Sequence, residues 1–340
     1  MTMKKIRKED LKTRVEDLLE TWQVFAPVWK EGMVEITEID DPATMSLDGP
    51  PPRIPPKRLF FPQSEVLFHY AKDTRGVEID SDPEVARRRV VLGVKPCDAH
   101  ALSLLDCVFN GDRYQDPYYL KRREQTVVVA LGCDEPALTC FCSSMESGPF
   151  SRKGADVFLT DIGAAYVVEV LTPKGHQLFE PSRLEDASPE NLEKAKEREE
   201  AAQKTISSHV ERAGLVDKLD EMAESVLWKY IHEKCIGCGV CTFLCPTCHC
   251  FDMVDEGDEA VGQRVRNWDS CQFPLYTLET SGRNPRPSGR ERLRQRVMHK
   301  FNYFVKSFGQ PACVGCGRCI IHCPVNLDVR RVIEAIWTAQ

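Results

Sequence analysis

Two short stretches of the sequence contain four cysteines each at the spacing Cys-x2-Cys-x2-Cys-x3-Cys-Pro. They begin at Cys235 and at Cys313. A structural zinc site usually takes two Cys-x2-Cys pairs about 15–20 residues apart. Three cysteines at three-residue intervals followed by a fourth are typical of bacterial-type ferredoxins, in which the fourth cysteine binds the other cluster. We therefore predict two [4Fe–4S] clusters in this chain, with two zinc sites as the alternative.

The exchange of the fourth cysteine decides which residues bind which cluster. The predicted ligands of the first cluster, here called set 1, are Cys235, Cys238, Cys241 and Cys323. The predicted ligands of the second, called set 2, are Cys245, Cys313, Cys316 and Cys319. Because set 1 takes its fourth ligand from the second repeat, the segment between the repeats must fold so that they face each other.

Two further cysteines directly follow apolar runs that are typical of buried strands. The runs are residues 90–94 and 126–132, and Cys97 and Cys133 come next along the chain. Helical spacing over residues 98–109 predicts a strand–helix–strand unit. Since parallel strands end at the same sheet edge, we expect the two cysteines to meet there.

The loop after Cys133 contains two more cysteines that could fold back over this edge. The four residues form the predicted set 3, a candidate third cluster: Cys97, Cys133, Cys140 and Cys142. Buried cysteines that only pack, a redox-active Cys97, and a nucleophile–base pair of Cys97 with His100 are the alternatives. At the helix start, Asp98 is a candidate N-cap.

Four cysteines lie outside these sets. Cys107 falls among apolar residues of the predicted helix, which indicates packing. Cys248 and Cys250 follow the cluster ligand Cys245 within five residues, and Cys271 lies between the two repeats. We expect them to pack around a cluster, with an exchangeable ligand or an accessory thiol as the alternative.

Composition restricts the class of protein. The chain has 340 residues, 42% of them hydrophobic, and a net charge of −7, which argues against nucleic acid or an anionic membrane as the main partner. It has no apolar run of the roughly 18 residues that a membrane span requires, and its charged N-terminus lacks the apolar stretch of a signal peptide. Sixteen cysteines with metal-ligand spacing favour a reducing compartment. We therefore expect a cytoplasmic protein without direct membrane insertion.

The order of predicted elements indicates two parts. Residues 1–200 read as an α/β or α+β domain with a mixed sheet, which includes two strands within 155–171. Residues 188–234 are rich in Glu, Lys and Ala and predict two or three helices, the first of which begins at Ser188-Pro189. Helix-like sequence around both repeats then predicts an α-helical ferredoxin-type domain over residues 201–340.

A basic segment precedes the second repeat. Residues 283–300 contain seven Arg or Lys in eighteen positions of an otherwise acidic chain. A solvated helix face above buried Leu293 and Val297 is the first interpretation. A docking surface for an acidic partner or an anion is the second, and nucleic-acid binding is the third.

Several segments together resemble one protein family. They are PPKRLFFPQSE, GVKPCDAH, CDEPALTCFCSSMESGP, CIGCGVCTFLCPTCHCFD, NWDSCQF, RQRVMHKFNYF and CVGCGRCIIHCPVNLDV. The family contains the iron–sulfur beta subunit of cytosolic sulfhydrogenases and an iron–sulfur subunit of anaerobic sulfite reductase. It also contains related subunits that accompany flavin oxidoreductases and heterodisulfide reductases in anaerobes. The resemblance covers residues 50–335.

The resemblance implies an electron-transfer subunit of a multisubunit oxidoreductase. It implies that one partner is a flavin- or NAD(P)H-binding reductase subunit, and that the other is a catalytic subunit of hydrogenase, heterodisulfide reductase or sulfite reductase type. It also implies that set 3 binds a third [4Fe–4S] cluster. The ferredoxin repeats occur in many proteins, whereas Lys-Pro-Cys-Asp combined with Cys-x6-Cys-x-Cys is far more specific.

Other motifs are absent from the sequence. It contains no G-x-G-x-x-G after a strand, no G-x4-G-K-[ST], no H-E-x-x-H and no G-x-S-x-G. We therefore expect no catalytic residue, flavin or nicotinamide on this chain. A cluster-bearing redox sensor or scaffold without a relay role is the alternative function, and an enzyme with an open cluster site near Cys248, Cys250 or Cys271 is a third.

Overall fold

The computed structural model describes residues 3–81, 87–180, 182, 184–258 and 260–339. The strands are β1 (Lys4–Arg7), β2 (Gln23–Lys30), β3 (Met33–Glu38), β4 (Ser64–Asp73), β5 (Gly76–Asp80), β6 (Arg89–Val94), β7 (Thr126–Leu131), β8 (Val157–Asp161), β9 (Ala165–Val170), β10 (Glu185–Asp186), β11 (Phe251–Gly257) and β12 (Val261–Trp268). The helices are α1 (Lys8–Leu19), α2 (Pro96–Phe109), α3 (Pro117–Gln125), α4 (Pro173–Leu178), α5 (Pro189–Thr205), α6 (Leu215–Glu221), α7 (Leu227–His232), α8 (Val240–Phe243), α9 (Gly289–Met298), α10 (Phe304–Phe308), α11 (Arg318–Ile321) and α12 (Val329–Thr338). A π-helical turn, His299–Tyr303, joins α9 to α10.

An eight-stranded mixed sheet forms the centre of the first half, in the order β10-β1-β9-β8-β7-β6-β2-β3. The pairs β2–β6, β6–β7 and β7–β8 are parallel, and the outer pairs are antiparallel. The predicted strand–helix–strand unit is confirmed, since β6 and β7 are parallel neighbours with Val90 opposite Val127 and α2 between them in sequence. The prediction of a mixed sheet is confirmed as well.

The continuous apolar runs arise because both faces of this sheet are covered. Along β6, Val90 and Leu92 belong to a core cluster with α1, and Val91 belongs to a second cluster with α2. Successive side chains of a strand point to opposite faces, so each run supplies two cores at once. The strand ends, and the cysteines after them, are thereby held by packing on two sides.

The prediction of Asp98 as the helix N-cap is wrong. The N-cap of α2 is Lys95, and Pro96 occupies the first helical position. Proline is favoured there because that position needs no backbone hydrogen-bond donor. Asp98 instead lies in the first turn, is buried, and forms an ion pair with Arg318 from the second repeat.

A second, four-stranded antiparallel sheet has the order β11-β12-β4-β5. Strands β11 and β12 form a hairpin between the two cysteine repeats, so the expectation of helices throughout that segment is wrong for residues 251–268. Strand β12 pairs with β4 of the first half. This sheet therefore takes strands from both sides of the boundary predicted at residue 200, and the division at that residue stays a prediction.

Helices form the remaining core. The segment 188–234 contains α5, α6 and α7 as predicted, and Ser188 caps α5 because its Oγ accepts a hydrogen bond from the backbone N–H of Asn191. Trp228 of α7 and Phe301 of the π-helical turn are buried in one cluster with α12. No helix among the described residues has the length and apolarity needed to cross a bilayer.

Candidate metal centre

Each cysteine repeat turns twice through left-handed backbone. Gly237 and Gly239 have φ of +68° and +75°, and Gly315 and Gly317 have +65° and +71°. Residues with a Cβ rarely adopt this conformation, so glycine is required for the chain to curl around a central object. The short helices α8 and α11 begin directly after Gly239 and Gly317. The two repeats therefore have the same local fold.

The four residues of set 1 surround one cavity. Its wall contains Cys235, Cys238, Cys241 and Cys323, together with apolar side chains that include Ile236, Leu293, Val325 and Leu327. The backbone N–H of Leu327 donates a hydrogen bond to Cys323 Sγ at 3.2 Å. Cys238 is exposed, so this cavity lies close to the protein surface.

The four residues of set 2 influence one another electrostatically. Burial, together with the nearby thiolate of Cys245, raises the pKa of Cys313 to about 12 and that of Cys316 to about 11. The pKa of Cys319 is also raised, by burial first and by Cys245 as a nearby negative charge. The fourth cysteine of the first repeat thus lies beside the first three of the second.

The structure also brings the residues of set 3 together. Cys97 is in the first turn of α2, after β6, and Cys133 follows β7. Burial raises the pKa of Cys133 to about 11, and Cys140 acts in the same direction. For Cys142, burial raises the pKa to about 12, with Cys140 and Cys133 as neighbouring charges. The loop after Cys133 therefore folds back over the sheet edge.

Set 3 packs directly on the second repeat. The N–H of Phe141 donates to the carbonyl of Gly315 at 2.9 Å, and Cys140 Sγ contacts the carbonyl of Cys316 at 3.7 Å. A Cβ on Gly315 would lie 2.5 Å from the backbone nitrogen of Cys142. Glycine at 315 is therefore needed for close approach as well as for its left-handed backbone.

A buried lysine lies against set 2. Lys300 is 3% exposed, and its ammonium donates hydrogen bonds to Cys245 Sγ at 3.2 Å, Thr247 Oγ1 at 3.1 Å and the Ala312 carbonyl at 2.8 Å. Burial opposes the charged form, but the neighbouring thiolates, led by Cys245, raise the pKa of Lys300 above its ordinary value. Lys300 belongs to the π-helical turn, a distortion that is frequent at functional sites.

A buried arginine lies between the first two sets. Arg296 is 4% exposed and is close to Cys241 of set 1 and Cys319 of set 2. Its Nε has no hydrogen-bond partner among the residues that the structure describes. Burial lowers the pKa of Arg296, but the surrounding thiolates raise it by more. A charged guanidinium therefore lies where thiolates of both sets converge.

These cations test whether iron–sulfur clusters fit. A buried charge is costly unless it is paired, and within the described part of the chain neither Lys300 nor Arg296 forms a salt bridge with a carboxylate. A [4Fe–4S] cluster with four thiolates is negatively charged, so it supplies the missing partner. No three His, Cys, Asp or Glu side chains of the described ranges converge as the ligands of one ion do. In a [4Fe–4S] cubane each thiolate binds a different iron, so the four ligands lie farther apart than those of a single metal ion.

Comparisons with known proteins agree with this chemistry. The 4Fe-4S dicluster domain family matches residues 234–327, which contain both repeats. The Sulfhydrogenase 2 subunit beta of Pyrococcus furiosus is 34% identical over 322 residues, which cover 94% of this chain and 93% of that protein. The chain belongs to the family of sulfhydrogenase iron–sulfur beta subunits. This family membership makes it an iron–sulfur protein with [4Fe–4S] clusters. No solved structure matches the chain.

The environment of set 3 opposes one of its alternatives, the nucleophile–base pair of Cys97 with His100. Burial lowers the pKa of His100 to about 4, and burial raises that of Cys97 well above its ordinary value. Both shifts oppose the thiolate–imidazolium pair that a Cys–His nucleophile needs. Cys107 donates a hydrogen bond to the Ser103 carbonyl at 3.3 Å within α2 and packs in a small apolar cluster, as the packing interpretation expects.

The buried cations are the site residues that sequence reasoning missed. Two of them, Arg296 and Lys300, lie in the basic segment 283–300, so the interpretation as a solvated helix face is wrong for these two positions. It holds for Arg294, which pairs with exposed Glu224, while Leu293 and Val297 are buried beneath. A cluster of basic residues just before a cysteine repeat was the available signal.

Arg318 is a third buried cation and connects the two halves of the chain. It lies within the second repeat, and its guanidinium binds both carboxylate oxygens of Asp98 at 2.6 and 2.7 Å. It also donates two hydrogen bonds to the carbonyl of Pro52. The ion pair fixes the start of α2, and with it Cys97, relative to the second repeat.

Proposed function

We propose that this chain is the electron-transfer subunit of a multisubunit cytoplasmic oxidoreductase, with three [4Fe–4S] clusters bound by sets 1, 2 and 3. It would carry electrons between a reductase partner that binds flavin or NAD(P)H and a catalytic subunit. Similarity to a sulfhydrogenase subunit of Pyrococcus furiosus favours a hydrogenase-type catalytic subunit over heterodisulfide or sulfite reductase types. Flavin and nicotinamide would bind to the reductase partner.

The contiguous order of the three sets is the observation that carries this proposal. Cys140 of set 3 contacts the carbonyl of Cys316 in set 2. Cys319 of set 2 lies in the wall of the set 1 cavity. Sets 3, 2 and 1 thus follow one another without an intervening layer of protein, as a relay requires.

Both ends of this series reach the protein surface. Leu138, on the loop of set 3, is 85% exposed, and Ile236, next to Cys235 of set 1, is 66% exposed. Large apolar side chains that are exposed beside a redox centre favour contact with another protein. Two accessible ends support a relay between two partners better than a sensor that needs a single output.

The residues of this chain would hold the clusters and stabilise the negative charge that each cluster gains on reduction. A [4Fe–4S] cluster accepts and releases one electron at a time. Lys300 and Arg296 stabilise added negative charge at sets 2 and 1, because each is buried beside their thiolates. The N–H of Leu327 donates to Cys323 and acts in the same direction at set 1. The apolar wall of the set 1 cavity limits the access of water.

Iron and acid-labile sulfide counts on anaerobically purified protein test the number of clusters. Three clusters correspond to about twelve irons per chain. Cys133→Ala should remove about four of them, and Cys107→Ala, in the neighbouring helix, should remove none. About eight irons in the wild-type protein, or no iron loss in Cys133→Ala, would refute the third cluster.

Anaerobic co-purification with mass spectrometry tests the relay. We expect the same complex to contain a flavin-bearing reductase and a catalytic subunit. NAD(P)H should then reduce the EPR-detectable clusters of the complex, and Ile236→Lys should weaken binding of one partner without iron loss. A chain that purifies alone, and whose clusters do not respond to NAD(P)H in cell extract, would favour the sensor instead.

A further inference from the structure

A cavity of about 290 Å³ lies beside set 2 and is separate from the set 1 cavity. Three cysteines that belong to no predicted set line it together with basic and aromatic side chains: Cys248, Cys250, Cys271, His249, His299, Arg286, Arg296, Lys300 and Tyr276. No carboxylate is among its described lining residues. Thiols in an open, cationic cavity are available for chemistry, unlike cysteines that only pack.

The β11–β12 hairpin brings two of these thiols together. Cys250 immediately precedes β11 and Cys271 follows β12, and the N–H of Asp269 donates to the Cys250 carbonyl at 3.0 Å. Phe251 pairs with Trp268 at the base of the hairpin, so Cys250 and Cys271 lie at the same end of it and, with Tyr276, line the same cavity. The amide of Gln272 contacts Cys271 Sγ at 3.5 Å. The two sulfurs are therefore held as a pair.

The charge of the cavity indicates which molecules it can take. Arg286, Arg296 and Lys300 contribute positive charge to the wall, and Arg296 and Lys300 already face cluster thiolates. Arg286 is only partly buried and, within the described ranges, has no salt bridge. Its guanidinium is thus the group that can attract an anion from solution.

We propose that Cys250 and Cys271 form a redox-active thiol pair that reduces an anionic disulfide bound in this cavity. The thiolate of Cys250 attacks one sulfur of the disulfide, and one thiolate leaves. Cys271 then attacks Cys250 Sγ, its proton passes to the second leaving thiolate, and a Cys250–Cys271 disulfide remains. Two electrons and one proton regenerate the Cys250 thiolate and the Cys271 thiol.

Contacts with set 2 connect this pair to the proposed relay. The backbone N–H of Cys248, in the cavity wall, donates a hydrogen bond to the Cys245 carbonyl at 3.4 Å, and Lys300 contacts both the cavity and Cys245 Sγ. Regeneration of the pair by cluster electrons, supplied in single steps, rests on the proposed function. The exchange of the pair with a disulfide does not, because it needs only the two thiols.

Thiol–disulfide exchange on the anaerobic, cluster-loaded protein tests the proposal, with dianionic 5,5′-dithiobis(2-nitrobenzoate) and neutral 4,4′-dithiodipyridine as probes. In the wild-type protein, peptide mapping should show a Cys250–Cys271 cross-link with no probe attached. Cys271→Ser should stop at a probe adduct on Cys250. Arg286→Gln should slow the reaction of Cys250 with the anionic probe roughly tenfold. The rate of its reaction with the neutral probe should not change.

Iron counts and EPR spectra, recorded on every variant, separate this proposal from the relay. Cys250→Ser and Cys271→Ser should keep the full iron content, and Cys107→Ser serves as the control outside the cavity. Loss of about four irons in either cavity variant would make these residues cluster ligands and overturn the thiol pair. Absence of the cross-link in fully loaded wild-type protein would overturn it too, whereas a failed relay would leave the exchange intact.

Discussion

Replacement of Lys300 by Met should lower the reduction potential of the set 2 cluster. Reduction adds one negative charge next to the ammonium group, which donates a hydrogen bond to Cys245 Sγ at 3.2 Å. If the bound cluster is centred roughly 6 Å from the ammonium, beyond Cys245 Sγ, an effective dielectric constant of about 20 gives a stabilisation of the added electron of about 3 kcal/mol. The reduction potential should therefore fall by roughly 120 mV, because a tenfold change in an equilibrium constant equals about 1.4 kcal/mol, or 59 mV for a one-electron couple.

A redox titration followed by EPR measures this shift on the cluster-loaded protein. Lys306→Met is the matched control, since Lys306 lies farther along the same helical segment, is half-exposed and pairs with Asp220. An exposed pair of this kind contributes little, so the control should titrate close to the wild type. Lys300→Arg keeps the charge and should recover most of the potential.

An unchanged potential in Lys300→Met, with full iron content, would refute the electrostatic reasoning. A rise in the potential would refute it more strongly, because loss of a cation cannot favour an added electron. Equal shifts in Lys300→Met and Lys306→Met would mean that general surface charge, and not the buried contact with Cys245, sets the potential.

Three further predictions concern the packing of the sets and the thiol pair. Gly315→Ala should lose about four irons from set 3 because its Cβ meets the backbone of the neighbouring loop, whereas Gly309→Ala, also at positive φ but with open space, should keep them. Asp98→Ala should lower the free energy of unfolding by about 3–5 kcal/mol in denaturant titration, because it leaves a buried arginine unpaired. Glu334→Ala, which breaks an exposed pair with Arg331, is the control and should leave the free energy of unfolding close to that of the wild type. Interaction with Cys271, and to a smaller degree with Tyr276 and Lys300, lowers the pKa of Cys250 to about 6. The rate at which Cys250 is alkylated should therefore fall as the pH drops through about 6. A midpoint near pH 9 in the rate profile would contradict this interaction.

The sequence predicted those parts of the site that depend on local spacing. The cysteine intervals identified both repeats, and the apolar runs before Cys97 and Cys133 identified β6 and β7, because a doubly covered strand leaves a continuous apolar signal. The start of α2 was misread at Asp98, although Pro96 at the first helical position carried the correct signal.

The remaining features depend on contacts between distant residues. The hairpin over residues 251–268 was missed because its strands are rich in charge and are stabilised by pairing with β4, far away in sequence. Lys300 and Arg296 were read as a solvated surface for a similar reason. Burial of Lys300 and Arg296 depends on an anionic partner nearby in the fold, and the sequence of their own segment gives no sign of that partner.

The four-stranded sheet has a consequence for folding during synthesis. About 190 residues separate β4 from its partner β12. At a synthesis rate of roughly 5–20 residues per second, the edge of β4 stays unpaired for about 10–40 s before β12 is made. An open strand edge is a site of aggregation, and β4 carries charged and polar side chains along much of its length, which protects it. The partner strand emerges only after the first cysteine repeat, and the second repeat emerges later still. We therefore expect the nascent chain to close this sheet before set 1 and set 2 can be completed.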